Sequence, residues 1–494
     1  MELDFEKTCF SCLKQDVYPV KSQEQTMEVR IPEGMPEVGR VIGSWGQCIL
    51  RGKEWQGGRI GITGGVMARV LYLPVGGDQL QSMEAWIPFQ EKWELADRQG
   101  EGRIRVRCLL KALDARMLSG RKIGLRAALE SFVEAFEPSQ FCEYAPKELP
   151  EDVQLLRREY PMLLPKEAGE KSFSLDEDME AGSAQRLLYC TVEPKITRQQ
   201  VVGDKLSVIG VLKCHFLFDL GDNQLQPRDG EIEFSQLAEL EQEYEQEAEA
   251  SVTFAVTSLE TDLQEGRVRI KCGLIGQYVV WDRQALEMVE DAFSPVRMVE
   301  MKEEAVQLPA ILDTAEQSLK TESVLNIPCG EVVDTNMLAE HPVVHQRGDM
   351  ADLEARGSVQ VLYRDLAGEL QSSNGRWSTQ LQIPTDATVN MIGELTAGQV
   401  CRTDCDEDRL VVTTQVDLRT RSIAGGGMNR ITGLELGESE PADPARPSLI
   451  MCRKGDQSLW DLAKRNGSTV ESIKRANHLK DEPAEDRILL IPVS

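Results

Sequence analysis

The chain has 494 residues, with 82 acidic and 55 basic side chains and a formal net charge of −27. An excess of negative charge on this scale repels nucleic-acid phosphates and anionic lipid surfaces at long range, which disfavours both as partners. The content of 41% hydrophobic and 28% charged residues is that of a folded globular chain, and the length exceeds what one core supports, so three or four domains are expected.

The first residues, Met1-Glu2-Leu3-Asp4-Phe5-Glu6, are acidic where a secretory signal requires positive charge before an apolar run. Neither export by that route nor a membrane-spanning helix is expected. The 12 cysteines are scattered singly, which reads as reduced cytosolic thiols acting mostly as small core hydrophobes. Cys9 and Cys12 have the spacing of half a zinc site, but no second pair follows at the required interval, so no metal is expected there.

From about residue 28 a pattern begins that recurs along the chain. Arg59-Ile60-Gly61-Ile62-Thr63-Gly64 leads to Val70-Leu71-Tyr72, Leu206-Ser207-Val208-Ile209-Gly210 leads to Phe216-Leu217-Phe218, and a third copy ends at Val361-Leu362-Tyr363. The interval of roughly 145 residues is the size of a domain rather than of a solenoid turn. A small residue, Gly64, Gly210 or Ala355, stands at the same place before each aromatic, and turn residues follow at 76–78, 221–223 and 367–369, as in hairpins. Further on, Glu101-Gly102-Arg103-Ile104-Arg105-Val106-Arg107-Cys108 is matched by Glu265-Gly266-Arg267-Val268-Arg269-Ile270-Lys271-Cys272 and more loosely by Glu407-Asp408-Arg409-Leu410-Val411-Val412-Thr413. This period-two alternation is that of half-buried strands.

On that alignment Arg103, Arg267 and Arg409 open equivalent strands as a shared structural ion-pair position. The interval from aromatic to arginine is 31, 49 and 46 residues, so the first copy is expected to lack a strand pair. The expected fold class is mainly β: three β-rich repeat domains, each a sandwich or partly open barrel, at 28–135 (shortened), 150–300 and 305–436, then a linker at 437–447. Helix is expected only in short pieces such as 283–291. These signatures, with Leu110–Ala127 and Val153–Asp176, resemble the SPOCS repeats, a family of spore-coat-associated domains.

The last segment, 448–494, carries eight basic and seven acidic residues and is electrostatically separate from the acidic body. Strand-like Leu449-Ile450-Met451-Cys452 is followed by a Gly-Asp turn into a helix with apolar Leu459, Leu462 and Ala463. A second helix is expected from a capping box of Ser468 and Glu471, burying Val470, Ile473 and Ala476, and Ile488-Leu489-Leu490-Ile491-Pro492 forms a closing strand. This βααβ order, with the stretches KGD, SLWDLAKR, STVESIKRAN and ILLIP, resembles LysM domains. The resemblance implies a shallow groove for N-acetylglucosamine polymers, lined here by Gly455, Asp456, Gln457 and Ser458 on one side and Ala476, Asn477, His478 and Leu479 on the other. One additional residue between Gly455 and Leu459, and Glu485-Asp486 in place of Pro-Gly, depart from the family pattern at or beside these loops and make a protein ligand plausible.

Other chemistry has little support in the residues. The four histidines are His215, His341, His345 and His478; Pro342 breaks any helical face between His341 and His345, which read as a surface pair. Cys401 and Cys405 have the wrong spacing for a metal or redox motif. The acidic run 239–247 reads as a solvated face rather than a calcium loop. No phosphate-binding loop and no nucleophile elbow occurs, and the three copies share no titratable cluster. A non-enzymatic protein without a cofactor is expected.

A chain combining SPOCS repeats with a terminal LysM resembles clostridial spore-coat assembly proteins. That resemblance implies a LysM contact with a coat-anchoring ATPase of the stage IV sporulation protein A type. It also implies contacts with other coat proteins and residence in the mother-cell cytoplasm with recruitment to the forespore surface. The alternative is a peptidoglycan- or N-acetylglucosamine-binding protein, or a wall-tethered hydrolase.

Overall fold

A computed structural model of the chain describes all residues except 96–101, 223, 246–247, 308–310, 386–388, 407, 425–426, 440–446, 482–486 and 494. The fold is mainly β, with two short helices near the C-terminus. Three successive groups of strands share one plan, in which a long first strand returns antiparallel against a long last strand. Phe5–Val17 and Lys21–Arg30 pair with Lys122–Pro146. Gln154–Glu180 pairs with Arg267–Phe293. In the third group Val299–Gln307 pairs with Gly427–Leu436 and Ile311–Leu325 with Arg409–Ala424.

Between these long strands each group holds a meander and a penultimate strand. In the first group the meander is Val38–Gln56, Arg59–Pro74 and Gln81–Glu94. In the second, Arg186–Asp219 doubles back at Gly203 (φ +59°), where Thr197 Oγ1 donates to the Ile209 carbonyl at 3.1 Å, and then pairs with Leu225–Tyr244. In the third, Glu331–Ala339 and Val343–Arg347 both pair with Met350–Arg364, which pairs with Leu370–Pro384. The hairpins expected after Tyr72, Phe218 and Tyr363 are present, turning at Gly76, Gly221 and Gly368, all with positive φ; Asn223 lies outside the described residues.

The small residue before each aromatic has a steric cause. Gly64 faces Phe89 and Gly210 faces Phe234 across the hairpin. A Cβ on either glycine would meet the ring at 2.7 or 2.5 Å, so the ring lies flat over bare backbone. In the third group the same device sits at Gly357 beneath Trp377, displaced from Ala355. Each group has its own apolar core, containing the buried Tyr72, Phe218 or Tyr363.

Several expectations require correction. Arg103 opens the penultimate strand Arg103–Ser119, whereas Arg267 and Arg409 open last strands; the counterpart of the latter two is Lys122. Both strands of this hairpin alternate charged and apolar residues, so the period-two pattern cannot tell one from the other. The first group is therefore not short of a strand pair, and its pairing runs from Phe5 to Pro146. Residues 283–291 are strand, not helix: 283–289 pair in register with 157–163, and after a bulge Asp291 pairs with Leu156. Cys9 is not a free thiol: pairing places it opposite Cys142 at a Cα separation of 4.0 Å, where the two form a disulfide.

Contacts between groups close the chain on itself. Glu2–Leu3 pairs with Leu434 and Glu435 at the end of the third group. Two glutamines seal the backbone of neighbouring groups as a strand would: Gln47 exchanges two hydrogen bonds with Val192, and Gln277 two with Val106. Where the three groups meet, Glu134, Val279 and Arg421 stand at equal distances from the starts of their last strands, with Arg105, Ser251 and Ile392 opposite them. Glu134, 2% exposed, receives Arg105 Nε at 2.5 Å and Arg421 Nη2 at 3.0 Å. Burial opposes its charge, but the two guanidinium groups outweigh burial and hold its carboxyl below the ordinary range.

Removing one partner of such a buried cluster leaves charge uncompensated, so Glu134→Ala is expected to cost about 3–5 kcal/mol in denaturant unfolding. The apolar triple replacement Arg105→Met, Glu134→Leu, Arg421→Met should unfold close to wild type. A mild effect of Glu134→Ala alone would contradict this reading of the junction.

Candidate functional site

The C-terminal module is built as its sequence pattern implies. Leu449–Arg453 and Ile488–Pro492 pair antiparallel, enclosing helix α1 (Leu459–Asn466) and helix α2 (Val470–Ala476). Leu459, Leu462, Ala463, Ile473, Leu489 and Ile491 form its core. α1 begins with a capping box that uses Asp461: Ser458 Oγ accepts from the Asp461 amide at 3.1 Å, and Asp461 Oδ2 accepts from the Ser458 amide at 3.1 Å. The box expected at Ser468 and Glu471 is absent. Thr469 caps α2 instead, bonding the Ser472 amide at 3.1 Å, because Ser468 is fully buried beneath the turn.

The two expected groove loops are both tied to the last strand. Lys454 donates its amide to the Arg487 carbonyl at 2.9 Å, and Asn477 brackets Leu490, its Nδ2 donating to the carbonyl at 2.6 Å and its Oδ1 accepting from the amide at 2.8 Å. The Asn477 amide is thus engaged with the module's own strand, and Ser458 is engaged in its cap. Asp456, Gln457 and His478 present exposed side chains, Ala476 and Leu479 are half-buried, and Gly455 turns with φ +54°. His478 also lies in the left-handed region at φ +52°. Glu485 and Asp486 lie outside the described residues.

Sequence reasoning missed how the module is held. The Trp460 indole donates to Asp291 Oδ2 at 2.7 Å, and Lys464, one helical turn on, reaches the same carboxylate at 2.7 and 2.8 Å. The Trp460 ring packs edge-on against Phe293 at 4.7 Å between centroids, and Leu156 joins the module's core from the paired strand. Asp291 can reach the helix because a bulge between Val289 and Asp291 breaks the register of the strand pair, the usual way in which a strand re-aims a side chain. Trp460 and Lys464 at i and i+4 mark one helix face, but nothing near them in sequence signals Asp291.

A second feature is a cavity of about 1070 Å³ bordered by all three groups. Its walls come from corresponding strands, around Gly46–Leu50, Thr191–Ile196 and Thr335–Ala339. Glu193 lines it with an exposed side chain, and desolvation by the surrounding protein pushes its carboxyl up. Burial likewise pushes the thiols of Cys108 and Cys214 up to about 12, which keeps them protonated and poor nucleophiles. At its edge His215 Nδ1 contacts Asp229 at 2.6 Å, and Nε2 contacts Asp334 of the third group at 3.0 Å; Tyr189 also bonds Asp334. Burial lowers the basicity of His215, but Asp334 and Asp229 outweigh it and raise the imidazole to about 9.

The remaining candidates resolve simply. His341 is buried and packs against Phe132 at 4.3 Å, which corrects the surface pair; His345 is exposed. In 239–245 the glutamates point outward while Leu240 and Tyr244 are buried, as a solvated face requires; 246–247 lie outside the described residues. Cys12 is buried, Cys401 is exposed, and Cys405 lies 2.8 Å from Cys329, sulfur to sulfur. Among the described residues no group of His, Cys, Asp and Glu could hold a metal ion, and no helix is long and apolar enough to cross a membrane.

Two predictions follow from these contacts. Asp291→Ala removes the acceptor of both Trp460 and Lys464, so amide hydrogen exchange in α1 should accelerate about tenfold or more; unchanged exchange would show that the contact does not hold the module. His215 has a raised pKa in the folded chain, so its stabilising contribution is complete below about 6.5 and disappears as pH rises through about 9. Stability measured from pH 6.5 to 9.5 should fall by on the order of 2 kcal/mol more in wild type than in His215→Gln.

Comparison with family models places a domain described as SipL, SPOCS domain, at residues 183–264 and a LysM domain at residues 453–491. The first match covers the meander and penultimate strand of the second group, and the second covers the βααβ module. No curated protein and no solved structure matches the chain. The chain thus carries a SPOCS domain and a C-terminal LysM domain, families that are non-catalytic and fit a sporulation-related role with a module of the cell-wall-binding type.

Proposed function

From a SPOCS domain and a LysM domain on one chain, we propose a non-enzymatic protein of spore-coat assembly. It is built of three SPOCS-like units at about 5–146, 154–293 and 299–436, followed by the LysM module. The reading places it in the mother-cell cytoplasm, from which it is recruited to the forespore surface. There the LysM module contacts a coat-anchoring ATPase of the stage IV sporulation protein A type, and the repeat units engage other coat proteins. Several weak contacts on one chain raise the effective concentration of each at a polymeric layer.

The observation that carries this reading is the seating of the module. α1 is committed to Asp291 and Phe293, while Asp456, Gln457 and His478 face outward. The module therefore presents its loops from a fixed position on the body, as an adaptor between protein surfaces does. Asn477 and Ser458 engage the module's own backbone, so these two of the groove's polar side chains are not free to read a sugar chain.

Binding of the full chain, and of a chain ending at residue 447, to the purified ATPase and to peptidoglycan tests the proposal. The full chain should be retained by the ATPase, and the truncated one at least tenfold less. Retention of the full chain by peptidoglycan but not by the ATPase would replace the proposal with the glycan-binding alternative.

A further inference from the structure

The ionic cluster where the three groups meet encloses a second, much smaller cavity of about 10 Å³, lined in part by Arg105, Arg107, Glu134, His341, Glu394 and Arg421. That is about the room one water-sized occupant needs. Arg107 Nη2 bonds Glu394 Oε1 and its Nη1 donates to the Leu395 carbonyl. Arg421 is 3% exposed. Its Nη2 is spent on Glu134, while its Nε and Nη1, both shielded from solvent, have no hydrogen-bond partner among the described residues.

The charges do not balance. Three guanidinium groups face two carboxylates, and arginine does not deprotonate in proteins; Arg105, Arg421, Glu134 and Glu394 are buried, while the Arg107 side chain is 20% exposed and also borders the large cavity. His341 adds no charge, since burial lowers its basicity and Arg107 reinforces this. Lys53, Lys111 and Arg419, which also lie around the cluster, have carboxylates of their own: Glu170, Glu130 and Glu316. A buried charge without a counter-charge is costly, and buried donors are normally satisfied. Glu394 Oε2 is also unpartnered and could accept from a water, but a neutral occupant would leave the surplus positive charge in place.

We infer that this cavity is a binding site for one small monovalent anion of the size of chloride, held chiefly by Arg421 with Arg105 and Arg107 supplying the remaining field. The ion completes a cluster drawn from the first and third groups and so strengthens the closure of the chain. Nothing in this inference depends on what the LysM module binds.

The probe is chloride itself. Thermal unfolding of the full chain is compared in sodium chloride and in sodium gluconate, whose anion is too large for the cavity, at equal ionic strength. Above half-saturation Tm should rise by about 1–2 °C per tenfold increase in chloride. Glu394→Gln removes one of the two negative charges and should shift half-saturation to about tenfold lower chloride. Because that substitution also weakens the bond to Arg107, wild-type crystals grown in sodium bromide give an independent readout, an anomalous peak within hydrogen-bond distance of Arg421 Nε. Equal Tm in both salts with no bromide peak would overturn the inference, as would a chloride effect that Glu394→Gln leaves unchanged.

Discussion

Glu134 stands between Arg105 and Arg421 at the point where three similar strand groups converge, and that contact constrains which groups meet there. Three identical units around a common axis would bring three identical side chains together there. The chain instead places an acid, a valine and an arginine at the corresponding positions Glu134, Val279 and Arg421. Opposite charges attract only in this arrangement, so the cluster distinguishes the units and fixes which one meets which. Buried ion pairs add little net stability over apolar packing, and their better-attested role is to select one arrangement among similar ones.

The other contacts between groups follow the same logic at lower cost. Gln47 and Gln277 each bond the amide and the carbonyl of one residue on a neighbouring group. This satisfies strand edges that would otherwise offer themselves to another chain. Asn477 does the same for Leu490 within the LysM module. The module is docked in turn by one carboxylate, Asp291, which a bulge aims at α1. Function on this account comes from geometry rather than reactivity: a closed three-part body carries a small binding module in one orientation.

Much of this was legible in the sequence, for physical reasons. The recurrence of Gly64 and Gly210 reflects rings stacked on bare backbone, a constraint that only glycine satisfies, although the rings are Phe89 and Phe234 across the hairpin rather than the recurring Tyr72 and Phe218. Positive-φ turns and the βααβ order of the module were readable because caps and turns are local. What misled was equally physical. Hairpin strands of like alternation are interchangeable in pattern, so Arg103 reads as the counterpart of Arg267 although it opens the other strand of its hairpin. Alternating burial in 283–291 is strand-like, yet its composition is that of a good helix former, and propensity yields to pairing. The Cys9–Cys142 disulfide, the buried His341 and the Asp291 contact all join residues distant in sequence, and such partners leave no local signature. Of the groove residues, Asn477 was located from the family resemblance, but its engagement with Leu490 was visible only in three dimensions.

The central claim is that three strand groups and the LysM module form one closed body, and small-angle X-ray scattering of the full chain in solution tests it most directly. A compact particle of this length has a radius of gyration of about 23 Å, with a bell-shaped Kratky profile. The account predicts a value close to that, nearly independent of ionic strength at neutral pH. A markedly larger radius with a rising Kratky tail, as from units and module tumbling on flexible tethers, would contradict it.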